Sequence, residues 1–163
     1  MDLNRPEGAE AVGADVVNVD ELAWSEWSHG QRFGGRVKAI ADSVGATRIG
    51  VVLEELPPGR QSSPAHYHMQ EEEHVWVLAG RAVLRLGDAE RLLKTGDYVC
   101  FRAATALAHC LINRFDEPCV YLVVGERRKD DVIVYPDSNK LKVRLLDEVY
   151  QKKPVDYWLD EKP

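Results

Sequence analysis

Two histidines and a glutamate lie close together in the sequence and have the chemistry of metal ligands. His66 and His68 are separated by one residue, and Glu73 follows after a short polar step. Because side chains alternate along a β-strand, His66 and His68 would project to the same side of an extended segment. Imidazole and carboxylate groups are ligands that divalent transition metals bind. The segment therefore predicts most of a metal site.

The segment 106–113 offers the missing ligand, His109. This segment has the pattern of a strand, and His109 shares its face with Leu107 and Leu111, so it would point into an apolar interior. Three imidazoles and one carboxylate leave two positions of an octahedral ion open for a substrate or dioxygen. Taken singly, His109 also fits a hydrogen-bonded core histidine, and the other three fit a solvated surface. Taken together, the four favour a metal site.

Short apolar runs would position these ligands. From about residue 35 onward they alternate with Gly, Pro, Asp and Asn, which is typical of a β-sandwich or barrel. Many of the runs are β-branched or aromatic, as strands favour. They are Val37–Ala41, Thr47–Leu56, Glu73–Leu78, Ala82–Leu86, Glu90–Leu93, Asp97–Phe101, Ala106–Asn113, Val120–Val124, Val132–Tyr135 and Leu141–Leu145. The sequence therefore predicts an all-β fold.

The chain has 163 residues, which favours one domain, and polar segments at its two ends predict flanking arms. We expect an N-terminal arm over residues 1–35 and a β-barrel domain over residues 36–146. The remaining residues, 147–163, are expected to form a C-terminal tail. Since Tyr157 and Trp158 are aromatic residues in a polar stretch, this tail is expected to dock on the barrel or on a partner subunit.

Composition narrows the class of partner. A net charge of −6 and a pI near 5.4 disfavour nucleic acid, which needs a basic surface. No apolar run is long enough for a membrane span, and residues 1–12 lack the apolar stretch of a secretory signal. Cys100, Cys110 and Cys119 lie in or beside apolar runs and are expected to be free thiols. A cytoplasmic protein is the resulting prediction.

The chain resembles the cupin superfamily, in particular its small single-domain conserved-barrel members, over about residues 45–126. The first motif of that family is carried here by Gly59, His66, His68, Glu73 and Gly80. The ends of the second motif are carried by Gly96, His109 and Asn113. The middle of the second motif departs from the family pattern, with Arg102 in place of proline, Ala104 in place of glycine and a longer loop.

The resemblance implies a double-stranded β-helix, or jelly-roll barrel, that holds one divalent transition metal in its mouth. His66, His68, Glu73 and His109 would bind the ion, and the ligand set does not distinguish Fe, Mn, Zn or Ni. Asn113 would either hydrogen-bond behind the ligands or form a turn at a strand end.

Some small proteins of this type share a Tyr-Pro-Asp stretch and a late Tyr-Trp pair, and such relatives have been labelled sugar-phosphate isomerases. Residues 135–137 and 157–158 look similar. The resemblance therefore implies a metal-dependent isomerase or oxidoreductase that acts on a small polar metabolite. The alternatives are an iron or manganese dioxygenase, a decarboxylase of a small organic acid, or a non-catalytic metal- or ligand-binding sensor module.

Substrate contacts are predicted from position alone. Arg60 and Gln61 precede the first histidine pair, and the Arg60 guanidinium would suit an anionic group. Tyr98 is a further candidate for the pocket, and Glu54 or Tyr98 could act as the general base that isomerisation requires. Apolar residues on the outer face, such as Trp76 and Leu78, together with the two arms, predict a homodimer.

Overall fold

The computed structural model describes residues 15–162, so the first fourteen residues of the expected N-terminal arm lie outside the described residues. The early strands are β1 (Ser25–His29), β2 (Phe33–Ala39), β3 (Ile49–Leu56), β4 (Tyr67–His68), β5 (Glu73–Ala79), β6 (Arg81–Leu86) and β7 (Ala89–Lys94). The later strands are β8 (Tyr98–Phe101), β9 (His109–Ile112), β10 (Cys119–Glu126), β11 (Val132–Tyr135), β12 (Lys140–Val143) and β13 (Glu148–Gln151). Short helices occupy Ile40–Ser43 (α1), Val19–Glu21, Pro136–Ser138 and Arg144–Leu146, the last three being 3-10 turns.

The strands form antiparallel sheets that face each other. The largest sheet has the order β1-β2-β3-β10-β5-β8. The two others have the orders β13-β12-β11-β4 and β7-β6-β9, and a β-bridge between His66 and His109 connects them. Strands that are distant in sequence, such as β3 and β10, are therefore neighbours in space. This arrangement confirms the predicted all-β jelly-roll fold.

Alternation along the strands places the core between the sheets. In β5, Val75 and Val77 are 3% and 0% exposed, whereas Trp76 and Leu78 between and after them are 51% and 42% exposed. Burying one such apolar side chain contributes about 1.5–3 kcal/mol, so this alternation fixes which face of β5 points inward. The homodimer that the outward face suggests stays a prediction.

The segments at the two ends add strands to the sheets. β1 lies in the range expected to be an arm, where it pairs with β2 at the edge of the six-stranded sheet, and β2 spans the boundary expected at residue 36. Near the other end, β13 pairs with β12. Tyr157 and Trp158 are 84% and 70% exposed and contact each other, with ring centroids 4.8 Å apart. Docking of this tail on the barrel or on a partner subunit stays a prediction.

The cysteines are free, as the sequence predicts, with Cys110 and Cys119 buried and Cys100 half-buried. Over the described range 15–162, the structure has no helix of the length and apolar character that a membrane span needs.

Candidate metal centre

Four side chains predicted as ligands converge on the interior of the barrel. His66 and His68 flank Tyr67, where the chain enters β4. Glu73 is the first residue of β5, and His109 is the first residue of β9. Each ligand therefore lies at a strand end, where the backbone is held by the sheet and the side chain reaches the mouth of the barrel.

Backbone hydrogen bonds fix these positions. The backbone N–H of His66 donates to the carbonyl of His109 over 3.2 Å, and the N–H of His109 donates back over 2.8 Å. His68 is paired with Ile133 of β11, and Glu73 is paired with Gly125 of β10. Because the two histidine segments exchange hydrogen bonds at the ligand positions, the imidazoles do not depend on a flexible loop for their spacing.

The side-chain distances of His66, His68 and Glu73 fit one small ion, and His109 lies outside this group of three, beside Glu73. Nε2 of His109 lies 3.2 Å from Oε1 of Glu73, and Nε2 of His68 lies 3.9 Å from Oε2 of the same carboxylate. The His66 ring centroid lies 5.1 Å from that of His68 and 4.8 Å from that of His109. One ligand atom each from His66, His68 and Glu73 lie within 4.8 Å of one another.

Two imidazoles present an unshared electron pair to the cluster. Nδ1 of His66 lies 2.9 Å from the carbonyl oxygen of Pro64, which can only accept, so Nδ1 carries the proton and Nε2 does not. Nε2 of His68 is buried and has no hydrogen-bond partner within residues 15–162. A buried polar atom without a partner costs about 1–3 kcal/mol. A divalent ion bound between these side chains would remove that cost, and the donor set therefore fits a metal.

The electrostatics favour the ligand forms of these groups. Burial, together with the neighbouring His109, lowers the pKa of His66 to about 4. Burial alone would raise the pKa of Glu73, but the hydrogen bond from His109 and the nearby histidines lower it below its ordinary value. At neutral pH the site therefore presents a neutral imidazole and a carboxylate, which are the protonation states that bind metals.

The buried Tyr121 and the half-buried Glu54 form a pair beside the metal ligands. The Tyr121 hydroxyl donates to Oε2 of Glu54 over 2.6 Å. Burial raises the pKa of Glu54, and the hydrogen bond from Tyr121 opposes that rise in part. Glu54 was a candidate general base from the sequence, and its position beside the ligands is consistent with that role.

Two cavities flank His109 and Phe101. The first, of about 130 Å³, is lined by Glu54, Tyr121 and the ligands His66 and Glu73. The second, of about 180 Å³, is lined mainly by apolar residues together with His68, Arg102 and Thr105. The loop that contains Arg102 has two alanines, Ala104 and Ala106, at a φ of 58°, a region that L-residues rarely adopt. The altered family motif thus gives this loop its own shape.

Arg60, Gln61 and Tyr98 are not brought to the metal ligands. Arg60 donates to the carbonyl of Gly30 over 2.9 Å, and Gln61 is buried, where it accepts from Nε of Arg32. Tyr98 is 62% exposed on the outer face of β8, and its hydroxyl group lies 2.6 Å from Nδ1 of His74. Side chains alternate along a strand, so Tyr98 lies on the face of β8 opposite to Phe101, whose ring stacks on His109. The outward position of Tyr98 could therefore have been predicted from the sequence.

Of the two roles that the sequence allows for Asn113, a hydrogen bond behind the ligands or a turn at a strand end, the structure shows the turn. Its amide group donates to the carbonyls of Leu56 and Glu117, each over 2.8 Å, and its side-chain oxygen accepts from the N–H of Phe115. These bonds use the side chain fully and close the turn between β9 and β10. Asn113 therefore supports the barrel without a hydrogen bond to a metal ligand.

Two carboxylates behind His68 were not predicted. Nδ1 of His68 lies 2.7 Å from Oδ2 of Asp131 and 3.2 Å from Oε2 of Glu71. Glu71 is the first of three consecutive glutamates, and Asp131 follows five consecutive charged residues, 126–130. Neither residue belongs to a recognisable motif, so neither contact has a local signal in the sequence.

The family model described as Cupin domain matches residues 52–125, which include all four candidate ligands. No curated protein sequence matches the chain significantly.

Two solved structures are similar over most of both chains. One is a protein from Acidithiobacillus ferrooxidans whose name proposes it as a sugar phosphate isomerase, with 29% identity, a TM-score of 0.77, and coverage of 85% of this chain and 90% of that one. The other, named a sugar phosphate isomerase, is from Silicibacter pomeroyi, with 27% identity, a TM-score of 0.76, and coverage of 88% and 98%. A Thermotoga maritima protein named as a predicted oxalate decarboxylase is 19% identical, with a TM-score of 0.60 and coverage of 70% and 100%, and it shares the fold alone.

Proposed function

We propose that this chain, whose residues 52–125 match the Cupin domain model, is a metal-dependent enzyme that isomerises a small sugar phosphate. The observation that carries the proposal is the unpartnered Nε2 of His68, buried beside His66 and Glu73. A histidine in that position, close to two further ligand groups and a cavity, is suited to hold a divalent ion at a place that a substrate can reach. The names of the two similar proteins from Acidithiobacillus and Silicibacter support the choice of reaction.

The cavities favour a short and anionic substrate. Their volumes of about 130 and 180 Å³ are below the roughly 300 Å³ at which pockets for drug-sized ligands begin. Arg102 lines the larger cavity with His68, and among the described residues its guanidinium takes part in no ion pair. An exposed and unpaired guanidinium at the mouth of a metal pocket suits the phosphate end of such a substrate.

We infer that Glu54 moves the proton. Glu54 lines the smaller cavity, which shares Phe101 and His109 with the cavity that Arg102 lines, so the substrate would extend across both cavities. Isomerisation transfers a hydrogen from the hydroxyl-bearing carbon to the neighbouring carbonyl carbon, while a second proton moves between the two oxygens. The Glu54 carboxylate would take the proton from the first carbon and return it to the second. Its hydrogen bond from Tyr121 engages one oxygen only, so the other stays available to the substrate.

A bound divalent ion would supply Lewis-acid stabilisation of the negative charge that develops on the substrate oxygens. His66, His68, Glu73 and His109 are the residues that would hold it. The burial of His68 and His109, which are 7% and 4% exposed, would keep bulk water from the ligand side of the ion. The apolar wall that includes Phe101 would exclude water from the substrate side, which strengthens electrostatic interactions there.

The test is an isomerisation assay on untagged protein loaded separately with Mn²⁺, Fe²⁺, Zn²⁺ or Ni²⁺. Short-chain aldose and ketose phosphates are incubated in D₂O, and proton NMR follows both their interconversion and the exchange of the carbon-bound hydrogen. We expect conversion with at least one ion, and loss of conversion in the His68→Ala variant.

The alternatives have different outcomes in the same experiment. Oxygen consumption with small organic acids, in the absence of isomerisation, would identify an oxygenase. A rise in melting temperature with a ligand and no turnover of any kind would identify a binding or sensor module. Either result would contradict the proposed isomerase.

A further inference from the structure

A buried hydrogen-bond network lies behind His68, on the side away from the metal ligands. Nδ1 of His68 is 2.7 Å from Oδ2 of Asp131 and 3.2 Å from Oε2 of Glu71. Asp131 is 0% exposed and Glu71 is 3% exposed. Two carboxylates this deeply buried are rare unless other groups compensate their charge, so their partners need to be identified.

Each carboxylate oxygen of this network has a donor. The backbone N–H of Gln70 donates to Oδ1 of Asp131 over 2.9 Å, and the N–H of Arg128 donates to Oε1 of Glu71 over 2.6 Å. Arg144 donates from Nη2 to Oε2 of Glu71 over 2.7 Å. Since all four oxygens are engaged, the cluster is already saturated and is not an open site for a second cation.

Asp131 and Arg144 lie at the ends of a hairpin, β11–β12, that is outside the matched cupin domain. Asp131 immediately precedes β11, and Arg144 immediately follows β12. These strands pair with each other, and the N–H of Arg144 donates to the carbonyl of Asp131 over 3.1 Å. β11 also pairs with β4, which contains His68. The register of the sheet thus sets Asp131 beside the histidine, and the family match ends before either residue, at 125.

We propose that Asp131, supported by Glu71 and Arg144, is a positioning residue that holds the His68 ring with its proton on Nδ1 and its Nε2 electron pair directed at the metal. An ionised carboxylate only accepts hydrogen bonds, so the Nδ1 atom that contacts Asp131 is the protonated one. A charge-assisted bond of this kind fixes the orientation of the ring and makes Nε2 a stronger ligand. The β11–β12 hairpin therefore contributes to the metal site through Asp131 and Arg144. The part of this inference that concerns metal affinity rests on the proposed function.

The inference is tested by metal affinity, with a matched control one residue away. Metal-free Asp131→Ala and Asp131→Asn proteins are titrated with Zn²⁺ and with Mn²⁺ in competition with a chromophoric chelator. We expect a dissociation constant about 10–100 times larger for Asp131→Ala. A smaller increase is expected for Asp131→Asn, because its side-chain oxygen still accepts from Nδ1. The control is Asp130→Ala, since Asp130 is ion-paired with Arg128 at the surface, and it should leave the affinity unchanged.

A second measurement reads the ring itself and does not need a metal. In metal-free protein with ¹⁵N-labelled histidine, NMR should show the His68 proton on Nδ1. Should Asp131→Ala fail to fold, the variant Arg144→Gln replaces it in the metal titration, and we expect it to weaken metal binding several-fold. The inference is overturned by a proton on Nε2 in the wild type, or by variant affinities equal to that of the wild type. If the wild type binds no metal at all, the proposed function loses its metal, and the NMR result still decides the position of the proton.

Discussion

Tyr121 and Glu54 face each other across paired strands, and the Tyr121 hydroxyl donates to Oε2 of Glu54 over 2.6 Å inside the barrel. Both side chains line the cavity that also contains His66 and Glu73. A carboxylate in such a place is unusual, because burial raises its pKa and works against its ionised form. The contact holds Glu54 at the cavity, where the proposed isomerisation would use it as the general base.

Replacing Glu54 by glutamine should abolish proton transfer and leave the metal in place. An amide has nearly the same shape and cannot accept the proton from carbon, so we expect kcat to fall about 10²–10⁴-fold. Metal content and melting temperature should change little. The matched control is Glu55→Gln, since Glu55 is ion-paired with Arg36 over 2.7 Å and does not line the cavity. Equal kcat values for Glu54→Gln and the wild type would exclude Glu54 as the base.

Arg102 should set the affinity for an anionic substrate. We expect Arg102→Gln to raise KM for a phosphorylated substrate at least about tenfold, with a small effect on kcat, because the guanidinium binds a group that does not react. Arg60→Gln is the comparison, since that side chain is bonded to the carbonyls of Gly30 and Phe33. A rise in KM for Arg60→Gln and none for Arg102→Gln would show that Arg60, and not Arg102, binds the anionic group of the substrate.

The ligands were predictable from the sequence because each is signalled locally. His66 and His68 follow from the period of two, Glu73 opens an apolar run, and His109 interrupts one. Asp131 was not predictable, since it is 63 residues from His68 and meets it only through the pairing of β4 with β11. Arg60 was misplaced because the turn at Gly59 directs it toward the β1–β2 hairpin.

The stability of the metal-free protein should fall as the pH is lowered from 6.5 to 4. The pKa of His66 is about 4 in the folded chain, against an ordinary value of 6.5. Between these values the unfolded chain binds the proton and the folded chain does not, so the free energy of unfolding decreases as pH falls. The slope from this group is at most about 1.4 kcal/mol per pH unit. Urea unfolding with a chelator present measures it.

The His66→Gln variant is the control for this pH dependence. Glutamine does not titrate, so its unfolding free energy should be flatter across the same interval, although other groups still contribute. Identical slopes for the wild type and the variant would show that the pKa of His66 is the same in the folded and the unfolded chain.

Gly80 should tolerate no side chain. Its φ is +73°, and a Cβ atom there would lie 2.3 Å from the carbonyl oxygen of Pro118. Gly96 has a φ of +92°, and a Cβ atom there would have no described residue within 4 Å apart from its chain neighbours. Gly96→Ala therefore isolates the cost of the backbone angle, about 1–2 kcal/mol. Gly80→Ala adds a steric clash, and we expect it to cost more than about 3 kcal/mol. Chemical denaturation compares the two, and equal costs would contradict the close approach of β5 to β10.

The most direct test of the account is elemental analysis of protein purified without a metal-affinity tag. Wild type supplied with Mn²⁺, Fe²⁺, Zn²⁺ or Ni²⁺ and then dialysed should retain about one ion per chain. His68→Ala should lose it, whereas His74→Ala should keep it, because His74 lies on the outer face beside Tyr98. A wild type without metal, or a His68→Ala variant that binds the same ion with the same affinity, would contradict the metal centre.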